Sequence, residues 1–485
     1  MSKIGVEAST TIRSGPINPG PVSGRFQIPA ITSSGPADRA VLIRSIAEYE
    51  STFGPRAAFS ANGYDTARMF FEEGGSELIV SRVVGPAATY DKLTLMDSMA
   101  VETLLVEARN PGSHTTAIKA AVSTTGAQCT ITISQGEETL AVLNGGSPAD
   151  LVAAASKSPV VRISDLGSAT AAPGNLPVTA AATELIGGAD DRASITVPHV
   201  IGALSRAGEL GEGGAVAAPG YPASVIGTAL IDYAKSNGRI ALLAPAVTDT
   251  ADAVIAAAPD LLGGAGDHAG LFFPHLTIPD GSATRVISPE GYVAAMRTRA
   301  HQTVGYWRKP FGDISQTRWV VGTVIPVNTE LNNRLSDAQV NGIVTTGTKV
   351  RLYNWVSLSN NSEMRALSAR DVLNNLSRDV KNVLEPFVGE TVDDNGHLTA
   401  QIGAEVEGLL SPIADAGGFF GLSRETGDGD REEIDPGYQI TVDSTNNPLS
   451  SLEQNVLNVT VLVRLSPTAD LIRVEIIKVP LQSAF

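Results

Sequence analysis

Two stretches of strict alternation stand at opposite ends of the chain. In "VTVLVRL", Val459, Val461, Val463 and Leu465 share one face, with Thr460 and Arg464 on the other. After the break "SPTAD", Ile472, Val474 and Ile476 alternate with Arg473 and Glu475 in "LIRVEIIKV". Near the N-terminus, Ile4, Val6, Ala8, Thr10 and Ile12 lie on one face, with Lys3, Glu7 and Arg13 on the other. Period-two apolarity with β-branched residues predicts half-buried strands. An unpaired terminal strand offers its backbone to another chain. Strand-like arms at both ends therefore point to exchange between neighbouring copies, and so to assembly rather than chemistry.

Between the arms, the pattern changes three times. Residues 14–37 are rich in Gly, Pro and Ser, with "RFQIPAI" embedded. A strand, a helical turn with a Gly-Pro stop, a short helix "DTARMFFEEGG" and the apolar strand "ELIVSRVV" then suggest an α/β unit, with Asp65 as N-cap and Gly74 past the helix end. From about Thr89 to Gly188 aromatics nearly vanish. Alternating segments such as "TLLVEARN" and "CTITIS", separated by Gly-containing turns, predict an all-β insertion. The α/β pattern resumes near Thr196. In "SVIGTALIDYAKSNG", Val225, Ile226, Ala229, Leu230 and Tyr233 form a helical stripe. "SPEGYVAAMRTRAHQTVGYW" opens with Ser288 as expected N-cap and Pro289 at the first helical position. A strand pair around "TKVRLYNWVSL", a helix from Ser368, and a helix with Thr399 as candidate cap precede the acidic stretch "RETGDGDREEIDPGY" and the terminal strands.

Composition narrows the function. At 485 residues the chain exceeds the size of one hydrophobic core, so roughly two to four domains are expected. A net charge of −16 argues against general nucleic-acid binding, which needs clustered Lys and Arg. The single cysteine, Cys129, excludes a disulfide framework and sits in an alternating strand as a small buried hydrophobe. There is no basic-plus-apolar leader and no run of about 18 apolar residues. The expectation is a chain made in the cytoplasm without direct membrane insertion.

Candidate chemistry is sparse. Asp428, Asp430 and Glu432 begin like a Ca²⁺ loop, but Glu433 stands where that loop needs Gly, and Gln439 where it needs the bidentate Glu. "GGAGDHAG" at 263–270 lacks the Lys-Ser/Thr of a phosphate loop. The six histidines show no metal-ligand spacing, and no Gly-x-Ser-x-Gly elbow is present. No cofactor, metal or catalytic set is expected. Arg297, Arg299, Arg308 and Lys309 form the densest basic group and are the candidate charged contact for an acidic neighbour; the plainer reading is a solvated helix face. Trp307, Trp319 and Trp355 read as packing residues.

The order of these pieces resembles the tail sheath proteins of contractile phages and contractile injection systems. "SIAEYESTFGP" with "FFEEGGSELIVSRVV" looks like the family's opening α/β segment; "TLLVEARNPGS" and "ELIGGADD" resemble the start and exit of its protruding insertion. "SPEGYVAAMRTRAHQTVGYWRKPFGDI" is the most specific match, and "LNNRLSDAQVNGIV" with "VRLYNWVSL" resembles the start of the C-terminal domain. The family's Pro-Gly-Val-Tyr lead into the N-terminal arm is absent, and its Gly- and Arg-rich lead before the Trp strand is reduced to "TTGTKVRLYNW". The resemblance implies a mixed α/β, multi-domain fold. Its parts are an arm at 1–25, an α/β sheath domain at 26–88 and 189–330, a β-rich, barrel-like insertion at 89–188, a C-terminal core domain at 331–465 and a terminal arm at 466–485. It also implies a structural, non-enzymatic subunit of a virion tail or injection particle. Hexameric rings would stack around an inner tail tube, joined through Ile4, Val6, Ile12, Ile472, Val474 and Ile476, with baseplate and tail terminator proteins as further partners. Contraction would drive the tube through a target envelope. The readings set against this are another self-assembling virion or surface-layer protein and a soluble α/β enzyme; the lack of a coherent catalytic motif weighs against the latter.

Overall fold

The computed structural model describes residues 22–112, 116–346, 349–393, 395–425, 431–468 and 470. These fall into two compact units, one within Met1–Thr303 and Pro310–Arg370, the other within Val304–Lys309 and Asp371–Phe485.

The first unit is built on an eight-stranded sheet. In spatial order its strands are Lys349–Leu352, Val340–Thr346, Ala269–Phe273, Ile240–Leu243, Ala215–Val216, Phe26–Ala30, Leu78–Arg82 and Val41–Ile43. The inner six run parallel, and the two edges are antiparallel. Parallel strands covered on both faces carry continuous apolar runs, as "LIVSR" and "AGLFF" do. Alternate residues enter two different cores. Phe26, Ile28, Leu78, Val80, Leu242 and Phe272 meet Tyr49, Phe70 and Tyr292 from the helices Ile46–Phe53, Ala61–Glu72 and Glu290–Thr303. Val216, Leu243, Leu271, Phe273 and Val340 meet Val200, Ile226, Leu230 and Leu335 from the helices Val197–Leu204, Ala223–Ser236 and Thr329–Asp337. The result is a mixed α/β sandwich of three layers. The first compact unit runs on past residue 330, through Arg370, and Val340–Thr346 continues its parallel sheet beside Ala269–Phe273.

The insertion has its own core. A three-stranded sheet (Lys92–Met96, Glu102–Ala108, Val161–Asp165) and a four-stranded sheet (Ile118–Thr125, Gln128–Gln135, Glu138–Gly145, Ala180–Glu184) enclose Leu104, Val106, Ile131, Ile133, Leu151 and the buried Cys129. It is not all-β. Ser147 caps a helix, Pro148–Ser156, by accepting from the Asp150 amide; in the sequence this stretch reads as a turn. The two sheets are separate ladders that meet at the Lys92–Ile186 bridge, so a closed barrel is not what the pairing describes.

The two strand-like passages joining insertion to sheet are fastened together. Thr89 bridges Ala189, and the enclosed Arg82 guanidinium donates at 2.7 Å to both the Gly35 carbonyl and Asp190 Oδ1. Arg192 reaches the second Asp190 oxygen. Gly112, at φ +107, is required here: a Cβ would stand 1.8 Å from Asp190 Oδ1.

Three caps differ from expectation. Asp65 lies inside Ala61–Glu72, where it pairs with Arg56 and Arg285 rather than capping. The Ser288 hydroxyl has no partner, and its helix starts at Glu290. Gly396 precedes the helix His397–Asp415, and Thr399 donates back to its carbonyl. Val225 is 58% exposed, outside the buried stripe of its helix.

In the second unit the helices Leu367–Leu384 (from Asp371 on) and His397–Asp415 bury Val372, Leu376, Val406, Leu410 and Ile413 against the strands Tyr438–Thr441 and Thr460–Val463. The long connection between those strands is closed by asparagines. Asn447, 5% exposed, accepts from the Asn458 amide at 2.5 Å and donates to the Asn458 carbonyl at 2.9 Å.

Asp190→Ala leaves the Arg82 charge enclosed without its carboxylate, and the expected loss is about 3–5 kcal/mol in denaturant unfolding. Asn447→Ala removes the acceptor of the Asn458 amide and one of two donors to its carbonyl; about 0.5–1.5 kcal/mol is expected, with faster hydrogen exchange across Thr460–Val463. Glu290, wholly buried, is pushed by burial from 4.5 up to about 7. The folded chain therefore holds a proton between those values that the unfolded chain has lost, and stability falls as pH rises through that window. Glu290→Gln should flatten this decline and gain at most about 3 kcal/mol above pH 7, with no gain below pH 4.5, by thermal unfolding across pH.

Candidate assembly edge

The strand Thr460–Val463 runs antiparallel to Tyr438–Thr441, with Val461 opposite Ile440 and Val463 opposite Tyr438. The face carrying Val459, Val461, Val463 and Leu465 packs with Tyr438 and Ile440 onto the helical core, which is the face that alternation singles out. Leu462, on the opposite face, is 57% exposed. The polar tethers hold the ends. Arg464 donates its amide to the Gly437 carbonyl at 2.7 Å and its guanidinium to Asp435 at 3.0 Å, and its carbonyl accepts from the Phe420 amide at 2.7 Å. The residue-464 backbone thus faces the partner strand. By the alternation of an antiparallel ladder, the N–H and C=O groups of Val461 and Val463 face the other way. This is a two-stranded sheet, and neither strand has a second ladder partner among the described residues.

Exposed apolar side chains gather in the same unit: Phe420, Leu422, Ile434 and Leu449 are 42–78% exposed. Asp435 is held below the usual carboxylate range by the Gly437 amide and by Arg464. A short hairpin, Leu422–Glu425 with Arg431–Asp435, takes in most of the acidic stretch. The arrangement offers backbone hydrogen-bonding groups and apolar surface, and no constellation of reactive side chains. No group of acidic, His or Cys side chains suited to a metal occurs among the described residues. No helix among them is long and apolar enough to cross a membrane.

Ile4, Val6, Ile12, Ile472, Val474 and Ile476 lie outside the described residues, as do Asp428 and Asp430 of the acidic stretch. The four cations separate. Arg297 is 1% exposed, with its guanidinium on the Ser23 carbonyl, while Thr298 donates to the Gly24 carbonyl at 2.6 Å. Arg297 is therefore not a surface contact; the helix carrying it is buried along most of its length, and it pins the turn Val22–Gly24 just ahead of the central strand. Arg299 is half-buried and donates to the Gln316 carbonyl at 2.9 Å. In the second unit Arg308 is exposed, whereas Lys309 is 9% exposed and its Nζ meets Asp470 at 2.7 Å. Two of the four thus hold the chain where it runs into its end segments. Sequence reasoning missed this, because charge spacing does not reveal burial.

No protein-family model and no curated protein sequence matches the chain. Solved structures do. The chain is similar to the sheath tail protein Lin1278 of Listeria innocua, with TM-score 0.60 at 14% identity over 87% of this chain and 89% of that one. It is similar to the helical sheath of the anti-feeding prophage in its contracted state, with TM-score 0.56 at 13% identity over 99% of both chains. It is also similar to the sheath complex of the extracellular contractile injection system PVC in its contracted state, with TM-score 0.57 at 12% identity over 99% of this chain and 100% of that one. From the three-layer sheet to the hairpin beyond it, the chain has the fold of contractile sheath proteins.

Proposed function

We propose that this chain is a structural subunit of a contractile sheath. Hexameric rings stack around an inner tube, exchanged terminal strands join them, and contraction drives the tube through a target envelope. The observation that carries this is the hairpin Tyr438–Thr441 with Thr460–Val463, which has no further ladder partner on either edge among the described residues, in a chain of sheath fold. Two open edges call for two strands. The segments around Ile4–Ile12 and Ile472–Ile476 have the alternation to fill them, one from each of two neighbours, completing a four-stranded sheet. Main-chain hydrogen bonds supply affinity, and alternate apolar side chains fix register. Arg308 is the remaining candidate for charged contact with a neighbour, and the insertion faces outward from the assembly. The role is mechanical rather than enzymatic, and the setting is a virion tail or injection particle.

Removing residues 1–13, or residues 471–485, should leave a folded monomer that forms no long tubes. Circular dichroism checks the fold and electron microscopy of concentrated protein checks assembly. Long striated tubes from either truncation refute the exchange. Sheets or closed shells from the intact chain favour a different self-assembling protein.

A further inference from the structure

The parallel sheet reverses its winding at Phe26–Ala30. From that strand the chain passes through Ile46–Phe53 and Ala61–Glu72 on one face to reach Leu78–Arg82. From the neighbouring strand, Ala215–Val216, it passes through Ala223–Ser236 on the other face to reach Ile240–Leu243. Where successive connections diverge to opposite faces, a crevice opens at the carboxyl ends of the strands, and open α/β sheets bind ligands there. In this protein the crevice is a cavity of about 360 Å³. Asn62 and Asp65 line it from one face, the loops at Gly220–Pro222 and Ala244–Val247 from the strand ends, and His275, Ser288 and Glu290 complete it. Gly220, at φ +90, lets the Asn62 amide come within 2.2 Å of where a Cβ would stand, so the loop keeps to the wall.

Two groups of this lining have no partner. Glu290 is 2% exposed with Oε2 unbonded, and the buried Ser288 hydroxyl is likewise unbonded. An orphaned buried polar group costs free energy that a ligand can recover. The other charged groups in the surroundings are already committed. Asp65 is matched by Arg56 at 2.9 Å and Arg285 at 2.8 Å, which leaves no surplus positive charge from that side. Burial pushes His275 down, toward the neutral ring, with Asp249 opposing. Among the residues lining the cavity, none supplies a cation to face Glu290.

We propose that this cavity binds a primary amine, its ammonium group seated between the Glu290 carboxylate and the Ser288 hydroxyl. Ammonium fits both orphans: it donates to the carboxylate and to the hydroxyl oxygen, and its charge makes burial of the ionised acid tolerable. The cavity admits a lysine side chain or a small diamine, and the same chemistry serves a free metabolite or a lysine offered by a second copy of the chain.

Titration calorimetry of the full chain at pH 8 with 1,4-diaminobutane tests the site, with acetamide as the uncharged control. Saturable binding of the diamine and none of acetamide is expected. Glu290→Gln, checked for folding by circular dichroism, should weaken binding at least about tenfold, a loss of about 1.4 kcal/mol, and Ser288→Ala should weaken it less. Sedimentation velocity then separates the sources. Diamine that releases monomers where sodium chloride of equal ionic strength does not identifies a lysine of a second copy; binding without any change of assembly identifies a free amine. Absence of saturable binding up to about 10 mM, an affinity scale near −3 kcal/mol, overturns the proposal. So does equal binding by wild type and Glu290→Gln, or equal binding of acetamide.

Discussion

A two-stranded sheet cannot satisfy its own edges. An isolated hairpin is marginal in water, and this one is held because one face is buried on the helix His397–Asp415 and its connection is closed by Asn446, Asn447 and Asn458. Face burial does nothing for the outward amides and carbonyls of Val461 and Val463. Natural proteins usually blunt such an edge with charge, proline or a bulge. Here the strand reads Thr-Val-Leu-Val, paired in regular register and free of any blocking residue. Such an unblocked edge is what the proposed exchange of arms would use.

Within the first unit, enclosed charges tie segments distant in sequence. Glu73, 0% exposed, accepts the successive amides of Arg318, Trp319 and Val320 at 2.8, 2.8 and 2.9 Å, so one carboxylate fixes the approach to the strand Gly322–Thr323. Arg239 is completely buried and pushed down to about 10 by that burial; it donates to the Ala215 and Leu210 carbonyls instead of pairing across a surface. At the neck of the insertion the buried Arg82 is instead paired with Asp190. Removing one member of such a set costs much more than an exposed ion pair contributes.

Much of this was legible from local patterning. The alternation at Val459–Leu465 named the buried face, the apolar run in "ELIVSRVV" named the strand Leu78–Arg82, and the Gly54-Pro55 stop bounded the helix Ile46–Phe53. Context decided what patterning could not. Ser147-Pro148 looks like a turn until the chain continues as a helix against the insertion core. Asp65 has the chemistry of a cap, but Arg56 and Arg285 reach it from elsewhere in the chain. Pro29 argues against a central strand, yet Phe26–Ala30 is one, with the proline at its carboxyl end opposite Ser81. Arg297 and Lys309 read as a surface cluster because sequence spacing records charge and not depth.

Those two cations bear on how a sheath of this design holds together. Arg297 and Thr298 fix Ser23 and Gly24 to the first unit, and Lys309 fixes Asp470 within the second. In the proposed assembly each arm is therefore secured at its root, and its strand is secured in a neighbour's sheet. Between root and strand on the N-terminal side the sequence runs through the Gly- and Pro-rich residues 14–21. Each ladder bond contributes only about 0.5–1.5 kcal/mol net, but a strand of several residues engages them together with its apolar face, and releasing it would expose all of them at once. In the proposed assembly, arms secured at both ends would let the bodies move between two packings while the mesh stays joined, which is the property a contracting lattice needs.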